Sequence, residues 1–259
     1  MAQFNDWCVW TYESIGHHHL GVLTAAVAHR EVGIQATAAI LPSHYASEEK
    51  VARALARLGK TAAAHLIETR LPITKPLRSG DLGEIYATEW INAHSGGYSA
   101  PIKRLRWKDH REMAMRGDDV IAIQQDPQSQ RLLFLKTEAK SRVALTTQVL
   151  TEARAGLDKD AGLPSAHALM FISERLQELD NTPLADAIDD ALYRHGIATQ
   201  SVRHLLFTFS GNAPDALLRA AIHSYPGPIT QWCLGLRVED HGTFIGDIYE
   251  RVIANANNA

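Results

Sequence analysis

Two apolar runs, closed by a polar turn and ending in charge, constrain this chain more than any other feature. Val120–Ile123 and Leu132–Lys140 are strand-like, and the turn-rich stretch Gln124–Gln130 between them predicts a β-hairpin. Side chains alternate across a strand, so Glu138 and Lys140 must leave the second strand on one face. Asp119 stands at the mouth of the first strand and reaches the same end, with Asp118 beside it competing for the role. Leu132–Leu135 is too apolar for a free sheet edge, so charge at the end of that strand lies against a buried core and calls for a reason.

Two carboxylates and an ammonium gathered from adjacent strands suit phosphodiester hydrolysis. Mg²⁺ takes oxygen ligands in octahedral geometry and keeps several waters, so Asp119 (or Asp118) and Glu138 with a substrate phosphate are enough to hold it; Mn²⁺ is the alternative ion. Such an ion polarises the phosphoryl oxygen and acidifies bound water. Lys140, two residues past Glu138, is placed to orient the attacking water or meet developing negative charge. The competing account is a surface hairpin with solvated charges, since Glu-x-Lys alone is common; the ordered set of Gly-x-Asp, apolar run, turn, apolar run and Glu-x-Lys favours the catalytic one. A further acid comes from upstream. Ser79-Gly80-Asp81 is expected to open a helix over Leu82 to about Ala93, putting Glu84 near its start. There Glu84 serves the metal or its water, or merely complements the helix dipole.

Along the rest of the chain, Trp7–Tyr12 reads as a strand, Ala46–Leu58 as a capped amphipathic helix and Leu71–Pro76 as a connection. Ile102–Trp107 is an imperfect strand candidate, Thr146–Leu157 and Leu184–Tyr193 are helices, and Val202–Phe209 and Gln231–Val238 are strands with a turn at Gly211-Asn212 between them. Helices mixed with a hairpin and later strands predict an α/β core. The expected division is an N-terminal α/β extension over residues 1–75 and a core with C-terminal strands over 76–259. Lys103, Arg104, Arg106, Lys108, Arg111 and Arg116 precede the hairpin closely and are expected to meet nucleic-acid phosphates, with Arg142 beyond it, and more weakly Gln148 and Arg154. His17-His18-His19 is read as a surface or interface turn, because adjacent histidines cannot all face one ion. The tail Ala254–Ala259 is expected to fray.

The formal net charge of −3 counts mildly against a stand-alone DNA binder, whose phosphate contacts usually make it basic. No apolar run approaches the ~20 residues that a membrane-spanning helix needs. The opening residues show no export signal, and Cys8 and Cys233 match no metal spacing, so a reduced, cytoplasmic protein is expected.

A helix acid, an Asp at a strand mouth and Glu-x-Lys on the next strand resemble the PD-(D/E)XK nuclease superfamily. That resemblance implies a restriction-endonuclease-like core, a mixed sheet flanked by helices, with Asp119, Glu138 and Lys140 as catalytic residues and Glu84 as the helix glutamate; Asp118 stands where proline is frequent. Together with chain length, the Gly-Asp-Leu-Gly-Glu-Ile helix, the basic run, Arg116-Gly117-Asp118-Asp119 and Thr137-Glu138-Ala139-Lys140-Ser141, the chain is similar to the nuclease subunits of the Hachiman anti-phage defence system. What this implies is a DNA-degrading effector held by a superfamily 2 helicase subunit. The alternative is a noncatalytic adaptor that keeps the nuclease fold to dock a helicase or a DNA end.

Overall fold

The computed structural model describes residues 1–129 and 131–258, with side chains to residue 256. Six strands form one sheet: β1 (Cys8–Ile15), β2 (His18–Ala25), β3 (Val120–Gln125), β4 (Leu132–Arg142), β5 (Val202–Ser210) and β6 (Gln231–Arg237), in the order β1-β2-β6-β5-β4-β3. The four central strands run parallel, and β1 and β3 pair antiparallel at the two edges. This is the expected α/β class with a mixed sheet flanked by helices. The N-terminal segment extends the same sheet, because β2 pairs directly with β6.

The helices are α1 (Phe4–Trp7), α2 (Arg30–Tyr45), α3 (Glu48–Leu58), α4 (Lys60–Arg70), α5 (Lys75–His94), α6 (Thr147–Asp158), α7 (Ala166–Glu178), α8 (Thr182–Asp189), α9 (Asp215–His223) and α10 (His241–Asn258). Alternation along the strands decides the layers. Leu135, Leu205, Phe207, Leu234 and Leu236 pack with α1, α2, α5 and α10 in one core. Their strand neighbours Phe134, Val202, Leu206 and Cys233 face the opposite way, against α6 to α9. Lys136, Glu138 and Lys140 share that second face.

Several local expectations change. Helix α5 starts at Lys75, not near Leu82, because Pro76 occupies the first turn, where its missing N–H costs nothing. Asp81 and Glu84 therefore lie inside the helix, and dipole complementarity at its start does not account for Glu84. The strand candidate at Ile102–Trp107 is instead a 3-10 turn over Arg104–Trp107; Arg104 reaches back to Glu84 on α5 and Arg106 to the Ser43 carbonyl on α2. Only Gly16 and His17 turn the first hairpin, while His18 and His19 begin β2, with His18 buried. Beyond Gly211-Asn212 lies a further helix, α9, before β6. The tail expected to fray continues α10 to Asn258, Ala259 lying outside the described residues, as does Gln130 of the expected turn.

Candidate active site

Strand β4 outruns its edge partner. Pairing with β3 starts at Val120↔Thr137, so Glu138–Arg142 is covered by β5 on one side and by no strand on the other. The Asp119 carboxylate fills part of this gap: the backbone N–H of Ala139 donates to Asp119 Oδ2 at 2.8 Å. Glu138 and Lys140 project from the same stretch, and Lys140 Nζ donates to Glu138 Oε1 at 2.5 Å. Both keep about a fifth of their side-chain surface exposed (17% and 20%), so a ligand can reach them. Space for the Glu138 carboxylate comes from Gly156 on α6, where a Cβ would lie 2.6 Å from Oε2.

Glu84 approaches from α5. Its Oε2 lies 3.2 Å from Arg104 Nε, yet it has no hydrogen-bond partner and is shielded from solvent. Burial raises the Glu84 pKa to about 8 against the opposing pull of Arg104, and the Asp119 charge adds to the rise. Asp119 is itself raised to about 6, by burial and then by the charge of Glu138. Asp119 thus feels Glu138 and is felt by Glu84, the middle member of three acids strung across the end of β3. Acids held so that they repel one another's charge are short of a cation.

The two adjacent aspartates part company. Asp118 Oδ2 accepts from both the backbone N–H and the hydroxyl of Ser165, at 2.8 and 2.9 Å, and its Oδ1 lies 3.5 Å from Lys136 Nζ. With both oxygens engaged at the start of α7, Asp118 is a clamp on the backbone next to Asp119. Lys136, 1% exposed, also donates to the carbonyls of Lys159 and Leu163 at 2.8 Å. The sequence reading missed Lys136, although it follows the same every-second-residue alternation as Glu138 and Lys140.

The basic run is mostly spoken for. Lys108 Nζ donates to both oxygens of Asp81 at 2.8 and 2.6 Å, Arg104 meets Glu84, and Lys103 lies 3.7 Å from Glu89 while donating to the Ser43 hydroxyl. Three bases thus descend α5 as three acids ascend it, forming a strap that ties the 103–108 segment to the helix. Arg106 donates to the Ser43 carbonyl and Arg111 to that of Glu68. Of the residues expected to meet nucleic acid, Arg116, Arg142 and Gln148 are exposed. Arg154 donates to Gln231 and His204 while lining a separate cleft of about 780 Å³ between α6 and α9. A cleft of about 590 Å³ opens beside Asp119, floored by Val120 and Ile121 and lined by Arg104, Arg116, Trp107 and Phe171.

The donor set fits a hard divalent cation. It offers carboxylate oxygens, one of them buried and unpartnered, with raised proton affinities that an ion would offset. Among the described residues no three acidic, imidazole or thiol side chains converge closely enough to hold an ion by themselves. A Mg²⁺ ion needs no such cage, since one or two carboxylates with waters and a substrate phosphate complete its shell. Asp119 and Glu138 are the residues that would hold it, with Glu84 near enough to Asp119 to feel its charge.

No curated protein matches the sequence. The family model described as HamA, however, matches residues 2–252, a span that takes in all six strands, the strap and every acid of the site, and so this chain belongs to the HamA family.

Proposed function

We propose that this chain is a divalent-metal-dependent DNA nuclease and the effector subunit of a Hachiman anti-phage defence complex. Family membership supports the defence role. The nuclease assignment is carried by one observation: Asp119 caps the open edge of β4 between Glu84 and Glu138, with its own pKa and that of Glu84 raised. A superfamily 2 helicase subunit is the expected partner, which reconciles a net charge of −3 with a DNA substrate, because the partner brings the strand.

Bound Mg²⁺, or Mn²⁺ in its place, would polarise the scissile phosphate and acidify a water. Asp119 and Glu138 would hold the ion between them, the first fixed by the Ala139 N–H and the second given room by Gly156. Lys140 places its side-chain nitrogen beside Glu138, in position to direct the attacking water and to meet negative charge as it grows on the phosphate. Glu84, with a pKa near neutrality, is suited to hold or release a proton at its Oε2. Arg116, exposed at the approach, would meet phosphate oxygens, while Arg104 beside it is held on Glu84.

The test is a plasmid-nicking assay with Mg²⁺, with and without chelator, on the chain together with its helicase subunit. The Glu138→Ala, Lys140→Ala double variant should lose cleavage while its melting profile and partner binding stay as in the parent chain. Cleavage that persists in the double variant would sink the assignment, and a complex that binds DNA without ever cutting it would favour a docking adaptor.

A further inference from the structure

At the far end of α5 from Asp81, a second pocket of about 430 Å³ opens between that helix and the β1–β2–β6 corner of the sheet. Its walls are aromatic. Trp10 lies 6.1 Å from Trp90 and 5.1 Å from His94, centroid to centroid, while Trp90 and His19 meet the Trp232 ring edge-on at 6.1 and 5.9 Å. Trp90 is buried, but Trp10, His19, His94 and Trp232 are each half-exposed, so π faces and edges remain open to a ligand. Burial holds both histidines below their ordinary pKa, so they present neutral rings at pH 7.

Beside these rings stands Arg203. It is exposed, its guanidinium lies 5.7 Å over the Trp232 ring, and among the described residues no carboxylate is within ion-pair distance of it. No Asp or Glu lines the pocket at all. An aromatic cage for a quaternary cation would want nearby negative charge and would be repelled by Arg203. Stacking surfaces with one unpaired guanidinium match the opposite combination, a flat ring carrying an anion.

We infer that this pocket binds one nucleotide of single-stranded DNA, its base stacked among Trp10, Trp232 and the neighbouring imidazoles and its phosphate on Arg203. The site rests on the reading of the chain as a DNA-acting protein but uses none of its carboxylates. Trp90 and His94 follow Glu84 by six and ten residues on α5, so the pocket anchors a strand roughly 9 to 15 Å along the helix from the acids.

Three of the five tryptophans line this pocket, and Trp107 is the one at the other cleft, so indole fluorescence reports on both and a variant separates them. The full-length chain, in metal-free buffer with chelator, is titrated with a dodecathymidylate strand and, separately, with thymidine monophosphate. Quenching should appear with the strand, weaken as salt rises, and persist in Trp107→Phe. Arg203→Glu should weaken binding about tenfold or more with an unchanged melting temperature, as suits an exposed side chain. Quenching by the monophosphate with the same Arg203 dependence would also support the site and identify a free nucleotide as a sufficient ligand. No quenching in the parent chain, quenching lost with Trp107, or quenching indifferent to Arg203→Glu would each overturn the proposal. A chain that nicks plasmid yet fails this titration keeps its nuclease assignment and loses only the second site; one that is quenched but never cuts shows the reverse.

Discussion

The two halves of β4 carry the same kind of charge to opposite ends. Upstream, between Phe134 and Thr137, the strand is paired on both edges, and Lys136 is buried, donating to two carbonyls and paired with Asp118. Downstream, from Glu138, one edge has no partner strand among the described residues, and Lys140 shares its partner, Glu138, with a site that also draws on Asp119 and Glu84. The first lysine is saturated by its surroundings, and the second is left available. Charge at a sheet's core is thus structural where the backbone closes around it and chemical where a strand outruns its neighbour.

The sharpest way to break this contrast is to remove each ammonium in turn. Lys136→Met strands two carbonyls and one oxygen of Asp118, and should cost about 3–5 kcal/mol in urea unfolding. Lys140→Met should cost less than about 1 kcal/mol, because its pair is partly solvated, while abolishing Mg²⁺-dependent cleavage. Equal losses of stability from the two variants would mean that the halves of the strand do not differ as described.

A smaller effect follows from pH. A carboxyl that binds its proton more tightly folded than unfolded makes the folded state the better proton acceptor between the two values, so stability falls as pH rises across that window. For Glu84 the window runs from its ordinary 4.5 to about 8, and Asp119 adds a narrower one from 3.8 to about 6. In metal-free buffer the melting temperature should therefore decline from pH 5 to pH 8, with each proton contributing at most about 1.4 kcal/mol per pH unit. Glu84→Gln should flatten the upper part of that decline and be the more stable chain at pH 8, by on the order of 1–2 kcal/mol. Parallel profiles for the two chains would remove Glu84 from the strained set. Smallest of all, Arg116→Ala and Arg142→Ala, at exposed positions, should move stability by no more than about 0.5 kcal/mol. Each should lower the salt dependence of DNA binding by about one counterion; an unchanged salt slope would place phosphate contact elsewhere.

The hairpin was legible in the sequence because its signals are local: two apolar runs, a turn, and alternation that puts Glu138 and Lys140 on one face. Asp119 was legible for the same reason, but its separation from Asp118 was not, since it depends on Ser165 and Lys136 arriving from other elements. The basic run was misjudged by a similar route. Six bases ahead of a candidate site look like a phosphate track until α5 is known to present Asp81, Glu84 and Glu89 to them at helical spacing. Helices α2 and α4 escaped notice because their apolar residues are spread around the helix and leave little periodic signal; α7, α9 and α10 do carry such a signal, which the sequence reading missed.

Gly156 shows how far the site reaches into the sequence around it. Alanine would suit the last turn of α6 better by up to about 1 kcal/mol, yet its methyl group would stand where the Glu138 carboxylate now lies. The helix accepts a weaker backbone so that the strand beneath it can keep a long acidic side chain upright. A requirement set at one atom of β4 is therefore written into the composition of a neighbouring element, at a position that touches no substrate.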